Sequence, residues 1–99
     1  MVKIDLKKVY SPWIKFIDIG HTKEGKRIKS IVKKNEGILK KVKVSTKNYN
    51  INMVEQSKYT GVGRFEDVFK VFDKKRKLKY IVRLTYGQIG RTFWYVYKV

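Results

Sequence analysis

The chain has 99 residues, which suits a single domain spanning residues 1–99, since two halves would each be too small to bury a core. Lys and Arg number 25 against 8 Asp and Glu, so the net charge is +17. The absence of cysteine excludes disulfides and thiolate metal sites. No apolar run reaches the ~18–20 residues of a membrane helix, and residues 1–8 lack the apolar core of a secretory signal. We therefore expect an intracellular protein.

Composition favours strands over helices. The chain has no Ala and only four Leu, but it has twelve Val, ten Ile and seven Tyr. Beta-branched and aromatic residues fit the pleated surface of a sheet, whereas the best helix formers other than Lys are nearly missing.

The first half of the chain predicts two strands and an ambiguous segment. Residues 2–9 alternate loosely and indicate a strand, which Pro12 ends. Residues 13–19 form a second apolar run, and residues 21–26 form a polar turn in which His21 is exposed. Residues 26–46 fit a helical stripe, but the turn-like residues 35–37 in their middle favour two strands of a hairpin.

The second half predicts a sheet. Residues 48–56 have the pattern of a half-buried strand with Tyr49, Ile51 and Met53 on one side, and residues 61–63 form a loop. Apolar residues within 64–77 recur at helical spacing, which favours a helix over the alternative of a strand that leads into a hairpin tip at 73–77. Residues 78–86 and 93–99 alternate on either side of a glycine-bearing loop and predict a C-terminal hairpin. The expected fold class is α+β and β-rich, an antiparallel sheet with one or two short helices.

The excess charge occurs in two blocks. Residues 23–47 and 74–99 each carry +8, whereas residues 48–73 carry −1. Repulsion within so basic a small domain destabilises it, so an acidic partner is a natural reason for the charge. A lysine-rich surface without any ligand is the alternative.

Candidate nucleic-acid contacts fall in both blocks. The densest patch consists of Lys74, Lys75, Arg76, Lys77 and Lys79, which could contact phosphates. The opposite face of the C-terminal hairpin is predicted to carry Lys79, Arg83, Thr85, Thr92, Trp94 and Lys98 around Ile81 and Val96. On that face Trp94 could stack on an unpaired base. In the first block, Lys29 and Lys33 share one face if the segment forms strands. Twenty Lys against five Arg disfavours sequence-specific reading.

Other functions remain open. An acidic protein partner or an anionic lipid surface would also attract the chain. Asp18, Glu24 and Lys26 loosely resemble the carboxylates and lysine of metal-dependent nucleases, although their spacing is short. No phosphate-binding glycine loop or nucleophile motif is present. We therefore expect a non-enzymatic protein without cofactor or bound metal, either monomeric or dimeric.

The composition, together with the aromatic run Thr92-Phe-Trp-Tyr-Val-Tyr-Lys-Val99, resembles small proteins of filamentous and rod-shaped viruses that infect acidophilic, hyperthermophilic archaea. The resemblance implies a heat- and acid-resistant viral protein of undefined function in the host cytoplasm. It implies no site residues. Nucleic-acid binding through Lys and Arg, with little sequence specificity, is the function that the sequence favours.

Overall fold

The computed structural model of the protein describes residues 17–61, 63–87 and 90–99. In chain order the elements are β1 (Ile17–Asp18), α1 (Lys23–Lys34), α2 (Glu36–Leu39), β2 (Val44–Ser45), β3 (Tyr49–Tyr59), β4 (Arg64–Asp73), β5 (Leu78–Gly87) and β6 (Phe93–Lys98).

The six strands form one sheet in the order β1-β6-β5-β4-β3-β2, and all neighbouring strands are antiparallel. Among the described residues β1 and β2 are the outermost strands, and the helices that connect them cross one face of the sheet. α1 packs against β6, and α2 packs against β3. We call the face that the helices cover the helix face and its opposite the second face.

α1 begins at Lys23 because Thr22 caps it. The Thr22 hydroxyl accepts a hydrogen bond from the backbone N–H of Gly25 at 3.0 Å and donates one to the carbonyl of Ile19 at 2.7 Å. Ile28 and Val32, one helical turn apart, are fully buried against the sheet. Complete burial of such a side chain contributes about 1.5–3 kcal/mol, so these two residues hold α1 on the helix face.

The core is built from cross-strand rows on the helix face. Met53, Phe69, Val82 and Val96 lie opposite one another across β3, β4, β5 and β6. Ile51, Val71 and Tyr80 form the neighbouring row, and all but Met53 of these seven side chains are buried. The central strands β4 and β5 therefore position every other element.

The fold class predicted from sequence is confirmed, as are the strand over residues 48–56 and the C-terminal hairpin. The first of these strands extends to Tyr59, and the hairpin consists of β5 and β6. The predicted strand at residues 2–9 and the break at Pro12 lie outside the described residues. None of the helices in the described ranges has the length and hydrophobicity to cross a membrane.

The prediction of a hairpin over residues 26–46 is wrong. Most of the segment is helical, as the apolar positions 28, 32 and 39 allow. The turn-like residues 35–37 mark the junction of two helices instead, where Asn35 ends α1 and begins α2. Glu24 in the first turn and Lys33 and Lys34 in the last also suit the helix dipole.

The prediction of a helix over residues 64–77 is also wrong, and its alternative is right. Residues 64–73 form β4, and the tip of the β4–β5 hairpin follows. β4 is central, and both of its faces are buried, so Val68 and Phe69 can be adjacent and both apolar. In such a strand the alternation of apolar and polar residues is lost, and the remaining pattern coincides with helical spacing.

Candidate nucleic-acid interface

The tip of the β4–β5 hairpin, residues 74–77, carries four consecutive cations that are all exposed. We call it the basic tip. Its shape depends on Asp73, whose Oδ1 accepts hydrogen bonds from the backbone N–H groups of Lys75 at 2.8 Å and Lys77 at 2.9 Å. Arg76 has a φ of 66° and completes the turn in the left-handed region. The backbone N–H of Lys77, the largest effect, and that of Lys75 lower the pKa of Asp73. The Asp73 carboxylate therefore stabilises the turn.

A cleft of about 570 Å³ lies beside the basic tip. We call it the basic cleft. Its lining residues come from β2, β3, β4 and the tip, namely Lys43, Val44, Ser45, Asn50, Ile51, Asn52, Phe72 and Arg76. Its volume falls within the usual range of small-ligand sites, and cations stand on two of its sides.

Polar side chains connect the basic tip with the basic cleft. Lys74 Nζ donates hydrogen bonds to Ser45 Oγ at 2.8 Å and Asn50 Oδ1 at 3.2 Å. Asn52, two residues further along β3, has a buried amide oxygen without a hydrogen-bond partner. A buried polar atom left unpaired costs about 1–3 kcal/mol, so Asn52 is a group that a hydrogen-bond donor could satisfy.

Further cations surround this end of the sheet. Lys79 Nζ lies 4.0 Å from Asp73 Oδ2, and Lys98 Nζ lies 3.6 Å from Glu24 Oε1. The Tyr80 hydroxyl also donates to Glu24 and is the main reason that the pKa of Glu24 is lowered. The phenol pKa of Tyr80 is raised, first by burial and then by that hydrogen bond.

Lys29 and Lys33 lie on α1, not on the hairpin that carries the basic tip. Arg27 Nη2 donates to the Tyr49 hydroxyl at 3.2 Å, and this contact turns one flank of α1 toward β3. Successive helical residues are rotated by about 100°, so Lys29 and Lys33 lie on the opposite flank. The structure thus separates the two groups of cations that the sequence suggested.

Arg83 is part of a buried ion pair. Its side chain is 12% exposed, and its Nε donates to Glu66 Oε1, whose side chain is 1% exposed. Nη1 donates to the Tyr97 hydroxyl at 2.9 Å, and the guanidinium lies 5.2 Å from the centre of the Tyr95 ring. Burial alone would lower the pKa of Arg83, but Glu66 outweighs it and raises that pKa. Arg83 is therefore engaged within the protein.

The predicted face of Trp94 is wrong. Trp94 lies opposite Leu84 on the helix face, and Val96 and Lys98 share that face, whereas Arg83 lies opposite Tyr95 on the second face. The sequence predicts Phe93, Tyr95 and Tyr97 on the core face, but Phe93 lies opposite Thr85 and Tyr97 opposite Ile81, so these three rings are on the second face. The Trp94 ring stacks near Phe69, with 6.3 Å between ring centres, and it packs against the core.

The three residues of the nuclease hypothesis make separate contacts and do not form one site. Asp18 Oδ1 accepts from the N–H of Gly20, Glu24 binds Tyr80 and Lys98, and Lys26 is exposed on α1. In the part of the chain that the structure describes, no three His, Cys, Asp or Glu side chains come together as a metal site would require. His21 is exposed in the turn before α1, as expected.

Sequence reasoning missed the side of the cleft that β2 and β3 provide. Lys43, Ser45, Asn50 and Asn52 were not singled out, although Asn50 and Asn52 alternate with the apolar side of β3. Comparison with protein-family models, curated proteins and solved structures gives no match.

Proposed function

We propose that this protein is a small, non-enzymatic nucleic-acid-binding protein that contacts phosphates through the basic tip and the basic cleft. The observation that carries the proposal is the exposure of four consecutive cations at residues 74–77, beside a cleft that Lys43 and Arg76 flank. Lysine contacts to phosphate supply sequence-independent affinity, which falls steeply with salt.

The polar side chains of the cleft, which lie beside the apolar residues Val44, Ile51 and Phe72, support a phosphodiester ligand. Ser45, Asn50 and Asn52 offer hydroxyl and amide groups that can bond sugar, phosphate or base edges. Four of the five cations at the tip and in position 79 are Lys, which lacks the rigid fork with which Arg reads guanine. Little sequence specificity is therefore expected.

The test measures fluorescence anisotropy of labelled single-stranded DNA, duplex DNA and RNA over a salt series, with heparin as a polyanion control. We expect binding that survives about 0.2 M salt and is tighter for a nucleic acid than for heparin, with a log–log slope of about −0.7 to −0.9 per phosphate contact. Binding that heparin matches at every salt concentration would refute the proposal and would direct the search to acidic protein partners.

A further inference from the structure

The end of the sheet opposite the basic tip carries a row of aromatic side chains. Tyr59, Phe65 and Tyr86 lie opposite one another on β3, β4 and β5, and we call them the aromatic row. The ring centres of Tyr59 and Phe65 are 5.7 Å apart, and those of Phe65 and Tyr86 are 5.9 Å apart with nearly parallel planes. The row is therefore a continuous aromatic surface across three strands.

Tyr59 leaves most of its ring in solvent. It is 60% exposed, whereas Phe65 and Tyr86 are half-buried behind it. Its hydroxyl accepts a hydrogen bond from the N–H of Gly63 at 3.3 Å, which holds the side chain over the loop between β3 and β4. An aromatic ring fixed at its polar end and exposed over its face is a stacking platform for another planar group.

Cations lie at the same end of the sheet as the aromatic row but on its second face, where Lys58 is opposite Glu66 and Arg64 is opposite Gly87. Lys58 and Arg64 are its neighbours in sequence, and Arg64 Nη2 donates to the carbonyl of Arg91 at 2.7 Å. The Arg64 guanidinium lies 5.6 Å from the centre of the Phe93 ring, which is 44% exposed. This end of the sheet thus combines exposed rings with three cations.

Two carboxylates near this end of the sheet, Asp67 and Glu66, are buried and engaged. Asp67 Oδ1 accepts from the N–H of Ser57 at 2.8 Å and from the Tyr86 hydroxyl at 3.3 Å. Glu66 pairs with Arg83 on the other face. Neither carboxylate is presented to solvent, so an approaching polyanion meets cations and rings at this end.

From this geometry we infer that Tyr59 stacks on an unpaired base on the helix face, while Lys58, Arg64 and Arg91 contact phosphates of the same strand where it passes around the end of the sheet to the second face. The inference rests on the proposed function and narrows it to single-stranded nucleic acid. In a duplex the faces of the bases are stacked on one another, so only a single strand can offer a base to Tyr59. A ten-residue strand spans about 33 Å, so a nucleic acid that contacts both Tyr59 and the basic tip must be several nucleotides long.

The experiment compares Tyr59→Leu with Tyr59→Phe, because the first removes the ring and keeps an apolar side chain, whereas the second keeps the ring. Ile38→Ala, at a residue on α2 that is 56% exposed, controls for the loss of exposed apolar surface. Circular dichroism confirms that each variant is folded. Affinity is measured by anisotropy for single-stranded and duplex DNA.

We expect Tyr59→Leu to weaken single-strand binding by about ten- to a hundredfold and to leave duplex binding unchanged. Ile38→Ala should bind like the wild type, and Tyr59→Phe, which keeps the ring and loses only the bond to Gly63, should lose less affinity than Tyr59→Leu. Equal single-strand affinity of Tyr59→Leu and the wild type would overturn the inference and leave the proposed function standing, as would an equal loss for duplex and single strand. If the wild type binds no nucleic acid more tightly than heparin, both proposals fail.

Discussion

Substitution of Gly25 tests how closely α1 packs against the turn that precedes it. A Cβ at this position would lie 1.8 Å from the carbonyl oxygen of Ile19 and 2.6 Å from its carbonyl carbon. Both are backbone atoms, and that oxygen also accepts hydrogen bonds from the N–H and hydroxyl of Thr22. Gly25→Ala therefore cannot be accommodated by rotating a side chain, and the capped turn must move.

Whether Gly25→Ala raises or lowers the free energy of unfolding distinguishes this close contact from ordinary helix propensity. In an exposed helix, replacing Gly by Ala stabilises by up to about 1 kcal/mol. Here overpacking costs about 1–3 kcal/mol, and disturbing the Thr22 cap costs about another 1 kcal/mol. We expect Gly25→Ala to lower the free energy of unfolding by about 2 kcal/mol. Gly37→Ala, with nothing within 4 Å of its Cβ, should raise it slightly.

Urea denaturation followed by circular dichroism measures both variants. With a slope near 2 kcal/mol per molar urea, Gly25→Ala should lower the midpoint by about 1 M. A Gly25→Ala variant as stable as the wild type would refute the close approach of α1 to Ile19. A large loss in Gly37→Ala would refute the assignment of that residue to an open surface.

Three further predictions concern buried groups and charge. Arg83→Leu should lower the free energy of unfolding by about 3–5 kcal/mol in urea denaturation, because it leaves the Glu66 carboxylate buried without its partner; a loss below about 1 kcal/mol would contradict the burial of the pair. Trp94→Ala should destabilise by about 2–3 kcal/mol in the same assay, since the ring packs on the core; an unchanged midpoint together with weaker single-strand binding would show a surface role instead. Thermal melting followed by circular dichroism should show a stability that is constant from about pH 7 to 5 and falls below about pH 4. Folding lowers the pKa values of Glu24 and Asp73, so protonation of these carboxylates at low pH removes bonds that stabilise the folded state. A profile that rises on acidification would contradict those contacts.

The sequence predicts the C-terminal hairpin because β5 and β6 each alternate along the chain. It does not predict β4, because Val68 and Phe69 are both buried and the alternation disappears. α1 was ambiguous for a different reason. Residues 35–37 are suited both to a hairpin turn and to a helix junction, and only the packing of Ile28 and Val32 on the sheet decides between them.

The candidate site could be predicted in part. Residues 74–77 stand out in the sequence as a run of cations, and the structure exposes them at a hairpin tip. The cleft beside them combines residues from β2, β3 and the tip that are more than twenty positions apart, such as Ser45 and Lys74. The spacing of residues along the sequence gives no sign that Ser45 and Lys74 are close in the structure. The face of Trp94 depends on how β6 pairs with β5, because a shift of one residue exchanges the two faces of a strand.

The central claim is that the basic tip contacts phosphates, and a pair of charge-matched variants tests it most directly. Lys75→Gln/Lys77→Gln removes two cations from the tip, and Lys29→Gln/Lys33→Gln removes the same charge from the far flank of α1. The measurement is the salt dependence of the Kd for single-stranded DNA, determined by anisotropy. We predict that the tip variant reduces the log–log slope by about 1.4, whereas the helix variant keeps the slope of the wild type. Equal slopes for the two variants would contradict the claim, because binding would then depend on net charge and not on the tip.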